Sequence, residues 1–288
     1  MIAPPRQIDL ALTILLALIW ASAFTAIEVA LQTISPLAVA AIRLFIGALV
    51  LLPIAIKLHG WPRADLSIIG LLCVIAALNF MIPFTLIAWA QTYLTASTMA
   101  LIMGTGPCFA LLLSHVVTID DRLSIKKVAA CIAATGAVTL VILSDGDVSF
   151  GGSRLAILAG LCASFCYVLA GALARRIDGL PILSMTAYVL TMAAVMTMPL
   201  AAMVALPTIM PPTSTVLAVL YLGLVPTGLA FVLRYGLIRR VGLSRFSLGM
   251  SLVPVFGVAI GAFVLKESIT VTVIAGTVMI LISMLLAR

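Results

Sequence analysis

The chain has 288 residues, is 64% hydrophobic and carries only 9% charged residues. Soluble domains average about 45–50% apolar and about 25% charged residues, so a soluble fold and a soluble catalytic domain are both excluded. The net charge of +7 would suit a nucleic-acid partner only if the basic residues formed one patch.

In chain order, apolar blocks long enough to span a bilayer core, roughly 20 residues each, recur ten times. They fall near 8–30, 36–57, 66–90, 94–116, 124–143, 154–175, 181–204, 215–237, 243–265 and 269–287. This predicts an all-α integral membrane protein of ten transmembrane helices. Barrel strands alternate over about 10 residues, and these runs are continuous, so a β-barrel is excluded. The gaps at 144–153 and 205–214, the second with Pro207, Pro211 and Pro212, read as loops. Ala21-Ser22-Ala23 resembles a signal-peptide cleavage site. The apolar run continues through Leu31, so the first block is expected to remain as a helix.

The basic residues report orientation. With the N-terminus inside and sides alternating, every Lys and Arg except Arg43, Arg154 and Lys266 falls in an inner segment. Cytoplasmic loops carry such an excess, so both termini are expected in the cytoplasm. The partner of this charge is membrane lipid; nucleic acid is not implied. The five cysteines, Cys73, Cys108, Cys131, Cys162 and Cys166, all lie within predicted helices. None has zinc-site spacing, so no metal and no cofactor is expected.

The chain repeats internally. Pro36 and Pro181 are offset by 145, Pro107 and Pro254 by 147, and the turns at Asp121-Arg122-Leu123-Ser124 and Glu267-Ser268-Ile269-Thr270 by 146. At 145, Trp20 falls on Phe165. The halves are residues 1–145 and 146–288, five helices each. An odd number of spans inserts the second half upside down. Inverted repeats of this kind place a binding site near the midplane between them.

Trp20-Ala-Ser-Ala-Phe24, the segment from Pro36 to Arg43-Leu-Phe45, Ala96-Ser97 to Pro107, and Lys266-Glu267 together resemble the EamA-type transporters of the drug/metabolite transporter superfamily, most of all the amino-acid exporters among them. Two positions depart from that pattern: Tyr188 stands where the first half has Arg43, and Asp121 replaces the usual Glu. The resemblance implies export of small amphipathic metabolites, amino acids including aromatic ones, from a bacterial inner membrane.

Few polar groups interrupt the apolar blocks, and each needs a reason. Asn79 lies mid-span, and Pro83 lacks the amide that would bond the Asn79 carbonyl. That turn either meets a substrate or bonds a neighbouring helix. Pro107, Pro226 and Pro254 are expected to release the carbonyls of Met103, Leu222 and Met250 in the same way, as packing kinks or as hinges. Thr227 adjoins Pro226. Trp20, Phe80, Phe84, Phe165 and Tyr167, with Met103, either line an adaptable pocket or fill the core and face lipid. Arg43 sits about 10 Å below the outer edge, from seven residues at 1.5 Å each. Glu28 is its candidate partner, closing a gate or holding helices together; alternatively Arg43 holds a substrate carboxylate.

No Asp, Glu or His occupies mid-span, so facilitated export by alternating access, a uniport, is the expected mode. The alternative is proton-coupled export of cationic drugs or other metabolites. An enzyme would need clustered catalytic groups. His59, His115 and the Asp120-Asp121 pair do not supply them. Gly257-x-x-x-Gly261 suits helix packing or dimerisation.

Overall fold

A computed structural model describes residues 7–60, 66–117, 125–144, 152–177, 179–203, 210–242, 245–246 and 249–286. The Asp121–Ser124 turn, Asp120, and most of the two predicted long loops lie outside the described residues.

The described residues are helical and contain no strand. The elements are α1 (Gln7–Leu31), α2 (Pro36–His59), α3 (Leu66–Ala76), α4 (Ile82–Ala90), α5 (Ala96–Met103), α6 (Gly106–Val117), α7 (Ile125–Ser144), α8 (Gly152–Ala174), α9 (Ile182–Ala202), α10 (Thr213–Leu222), α11 (Ala230–Val241), α12 (Leu252–Ile260) and α13 (Val271–Leu286). Among the described residues, six continuous helices are long and apolar enough to cross a membrane: Gln7–Leu31, Pro36–His59, Ser67–Ala90, Ser153–Ala174, Ile182–Ala202 and Thr213–Val241. Shorter apolar helices accompany them. The exposed surface carries large side chains such as Leu49, Leu158, Val195 and Phe263, as lipid contact requires.

Local chemistry sets the ends. Pro36 opens α2, where a missing amide costs nothing, and Gly60, at φ 75°, closes it. Gly242, at φ 85°, closes α11. Thr95 caps α5 by accepting from the Thr98 amide, which satisfies one otherwise unpaired donor.

Prolines shape the spans, though not as simple kinks. Widened π turns at Ala77–Met81 and Gly223–Leu229 join α3 to α4 and α10 to α11. In the first, the Ile82 amide reaches back to the Ala77 carbonyl. In the second, the Ala230 amide reaches Val225. These five-residue steps accommodate the amides that Pro83 and Pro226 lack. The predicted blocks 94–116 and 243–265 are instead broken at Gly104–Thr105 and Met250–Ser251. Pro107 and Pro254 lie just after, in the first turns of α6 and α12, where proline is tolerated. The Met250 carbonyl is not released as expected: it accepts from the Val253 amide at 3.0 Å.

The helices pack in pairs: α2 against α9, α7 against α13, α4 against α8, and α1 against α10 and α12. Glycines permit the tightest approaches. A Cβ on Gly223 would stand 2.6 Å from Ile46 Cβ and 3.1 Å from the Arg43 carbonyl, so α2 lies directly on the second π turn. A Cβ on Gly104 would meet Pro254 at 2.7 Å, and one on Gly257 would run into Ala100. The Gly257/Gly261 spacing therefore serves the α5–α12 crossing within the chain.

Candidate functional site

The helix pairs leave a cavity between them, with contributions from α1, α2, α4, α5, α6, α8, α11 and α12. It has about 120 Å³ of water-accessible volume. One water needs roughly 10–15 Å³ on this measure, so the space suits a small organic molecule. The wall is largely apolar and aromatic: Trp20, Phe24, Ile27, Phe84, Met103, Tyr167, Phe231, Phe246 and Met250 among others. Phe231 is the hub of the aromatic packing. Its ring centroid lies 4.4 Å from Phe80, 5.4 Å from Trp20, 6.0 Å from Phe84 and 6.4 Å from Tyr167. Tilted ring pairs at such distances stabilise each other beyond area burial alone. The Trp20 indole donates to the Pro226 carbonyl at 3.2 Å, tying α1 to the second π turn.

Two arginines sit on this wall. Arg43 is 4% exposed and Arg234 is 3% exposed. Arg43 Nε donates to Thr227 Oγ1 at 2.9 Å, and the guanidinium stacks 3.8 Å above the Phe84 ring. Stacking a guanidinium on an aromatic face favours the cation electrostatically. Arg234 Nη1 donates to Asn79 Oδ1, and its Nη2 donates to the Tyr167 carbonyl at 2.6 Å. Trp20, Tyr167, Phe231 and Tyr235 surround it at 5.4–6.0 Å. All these partners are neutral. Buried charges are ordinarily paired with an opposite charge, and among the described residues no Asp or Glu lines the cavity.

The expected site residues divide into three groups. Trp20, Phe84, Met103 and Tyr167 line the cavity, as do Arg43 and Pro107. Asn79, Phe80 and Thr227 are wholly buried behind it. Asn79 does not offer its amide to the cavity, because its Nδ2 donates to Tyr235 Oη at 2.9 Å while its oxygen holds Arg234. Phe165 lies elsewhere. It is 42% exposed and packs edge-on to Phe109 at 5.6 Å. Two residues along a helix is roughly 200° of rotation, so Phe165 and Tyr167 cannot share a face.

The expected Arg43–Glu28 pair is not formed. Glu28 Oε2 instead accepts from the Ala96 amide at 3.0 Å, and Glu267 Oε1 accepts from the same amide at 3.1 Å. Pro83 is buried beside Phe84, and Pro226 and Pro254 are buried too. None of these three borders the cavity. Arg234 and Phe231 were not anticipated. Arg234 falls three residues from the end of the predicted block 215–237 and was counted with the inner-edge charges Arg239, Arg240 and Arg245. A helical stripe of Phe231, Arg234 and Tyr235 was the available signal.

Comparison with known proteins places the chain. The model of the EamA-like transporter family matches residues 8–143 and 154–288. The chain is 24% identical to the uncharacterized transporter YoaV of Bacillus subtilis over 271 residues, covering 91% of this chain and 90% of that protein. It is 26% identical over 250 residues to a protein of Streptantibioticus cattleyicolor named a probable terminal-alkyne amino-acid exporter, covering 84% of this chain and 80% of that one. A crystal structure aligns with a TM-score of 0.74 over 98% of this chain and 97% of the other at 17% identity, which shows a shared fold.

Proposed function

The chain belongs to the EamA-like transporter family, and on that premise we propose that this multi-pass membrane protein exports small amphipathic metabolites carrying a carboxylate, amino acids among them. The observation that carries the reading is the cavity enclosed by helices from both parts of the chain, with aromatic walls and two buried guanidinium groups. Ligand sites of this type combine apolar walls with a few placed polar groups.

The proposed architecture is ten spans in two inverted five-helix halves, residues 1–145 and 146–288. Two separate family matches support it. So does the recurrence of a π turn beside a proline in 66–90 and in 213–241. Alternating access would rock one half against the other. The breaks before Pro107 and Pro254 would serve as hinges, together with the π turns at Pro83 and Pro226. A bacterial inner membrane with both termini cytoplasmic is the proposed setting. The two cationic groups on the wall weigh against the alternative, a proton-coupled exporter of cationic drugs.

The test is counterflow in proteoliposomes with a panel of radiolabelled amino acids, organic acids and cationic drugs. Accumulation of carboxylate-bearing solutes that is insensitive to an imposed pH gradient is expected. Accumulation of the cations alone would overturn the carboxylate reading, and strong stimulation by the gradient would overturn the uniport reading.

A further inference from the structure

Arg43 and Arg234 impose a requirement on the occupant that goes beyond its size and shape. We infer that the cavity selects its substrate by net charge, taking aromatic or similarly flat organic monoanions ahead of zwitterions and rejecting cations. This rests on the cavity being the transport site.

The argument starts from donor accounting. Arg43 spends Nε on Thr227. Its two terminal nitrogens have no hydrogen-bond partner among the described residues. Phe84 covers one face of the guanidinium, leaving an edge that matches the two oxygens of a carboxylate. A guanidinium fork binds that group bidentately and more strongly than a neutral acceptor does. Arg234 is anchored by Asn79 and the Tyr167 carbonyl, while its buried Nε has no partner. Neither anchor neutralises its charge.

Among the described residues no carboxylate borders the cavity to pair with an ammonium group, and the aromatic faces that could hold a cation already face the two guanidinium groups. Glu28, on the same helix as Trp20, is engaged with the Ala96 amide. A buried cation left without an anion is unfavourable. An anionic occupant relieves both arginines at once. A zwitterion brings one matching and one opposing charge, and a cation adds a third like charge. The flat faces of Trp20, Phe84, Tyr167 and Phe231 would hold the body of the molecule.

The experiment is calorimetric binding to purified protein in nanodiscs. It uses four probes on one ring scaffold: 3-phenylpropionate, phenylalanine, phenethylamine and the neutral 3-phenylpropanamide. The anion is expected to bind about tenfold or more tighter than the zwitterion, about 1.4 kcal/mol for the opposing charge that the ammonium brings beside the two arginines. The cation should not bind measurably. Arg43→Gln should weaken 3-phenylpropionate toward the level of the amide, with Arg234 retaining part of the preference, and leave the amide unchanged, while Arg43→Lys keeps more of it. Binding of phenylalanine or phenethylamine as tight as that of 3-phenylpropionate overturns the inference, as does absence of binding by all four. The wild-type ranking decides even if a variant does not fold. Counterflow separates the two readings. Flux of zwitterions or cations with the ranking lost removes charge selection and leaves a transporter. The ranking without any flux removes the transporter and leaves an anion site.

Discussion

Arg234 donates from Nη1 to the side-chain oxygen of Asn79, joining α11 to the first π turn. Asn79 passes the contact on by donating to Tyr235 Oη. The amide thus presents an acceptor to the cation and a donor to the phenol. No hydrocarbon residue could do either, which accounts for a polar residue mid-span. Asn79→Leu should leave Nη1 unpaired and destabilise the fold by about 1.5–3 kcal/mol, the range for a hydrogen bond to a charged group. Thermal unfolding in detergent would read this. Asn79→Asp should keep the fold and supply the missing anion, so the measured preference for anionic over neutral ligands should collapse.

Thr227 places Arg43. Thr227→Val keeps the shape and removes the acceptor of Nε. The expected outcome is weaker binding of carboxylates with stability lowered by about 1.5–3 kcal/mol, the range for a hydrogen bond to a charged group, checked by ligand titration beside a melting curve. Gly223→Val should be far harsher. Its side chain would collide with Ile46, pushing α2 off the second π turn and separating Arg43 from Thr227. Loss of transport together with loss of stability is expected.

Trp20 and Phe165 stand 145 residues apart, the offset of the proposed repeats, and the structure gives them different surroundings. Trp20→Ala should abolish counterflow by removing a wall of the cavity and its bond to the Pro226 carbonyl. Trp20→Phe should lose only the indole donor and retain part of the flux. Phe165→Ala should leave flux unchanged, because that ring is exposed and paired with Phe109.

The Gly257/Gly261 pair makes a separate prediction. Gly257→Leu should prevent the α5–α12 crossing at Ala100 and lower the yield of folded protein in size-exclusion chromatography. A normal yield with only a change in oligomeric size would show instead that the motif joins two copies.

Much of this was legible in the residues. The apolar runs locate the helices, since bilayer thickness dictates their length. Trp20, Phe84, Tyr167 and Arg43 stand out because large aromatic and charged groups interrupt otherwise aliphatic runs. Asn79 was recognised as exceptional, but its role was not readable: an amide that could meet a ligand can equally support an arginine on another helix. Arg234 was missed for a related reason. Three residues from a predicted helix end, a buried guanidinium and one reaching the lipid headgroups look the same in sequence. The Arg43–Glu28 pair failed because the Ala96 amide, 68 residues away from Glu28, is the closer donor.

The 64% apolar composition and its division into long apolar runs determine by themselves that this is a helical membrane protein, and its ordered motifs indicate its family. These are one-dimensional properties, set by run length and composition. The tertiary structure alone decided that the scarce charge includes two arginines facing one cavity. Arg43 and Arg234 lie far apart in the chain and meet only because glycine contacts and π turns bring α2, α4 and α11 together. Their joint effect on an occupant depends on the space between them.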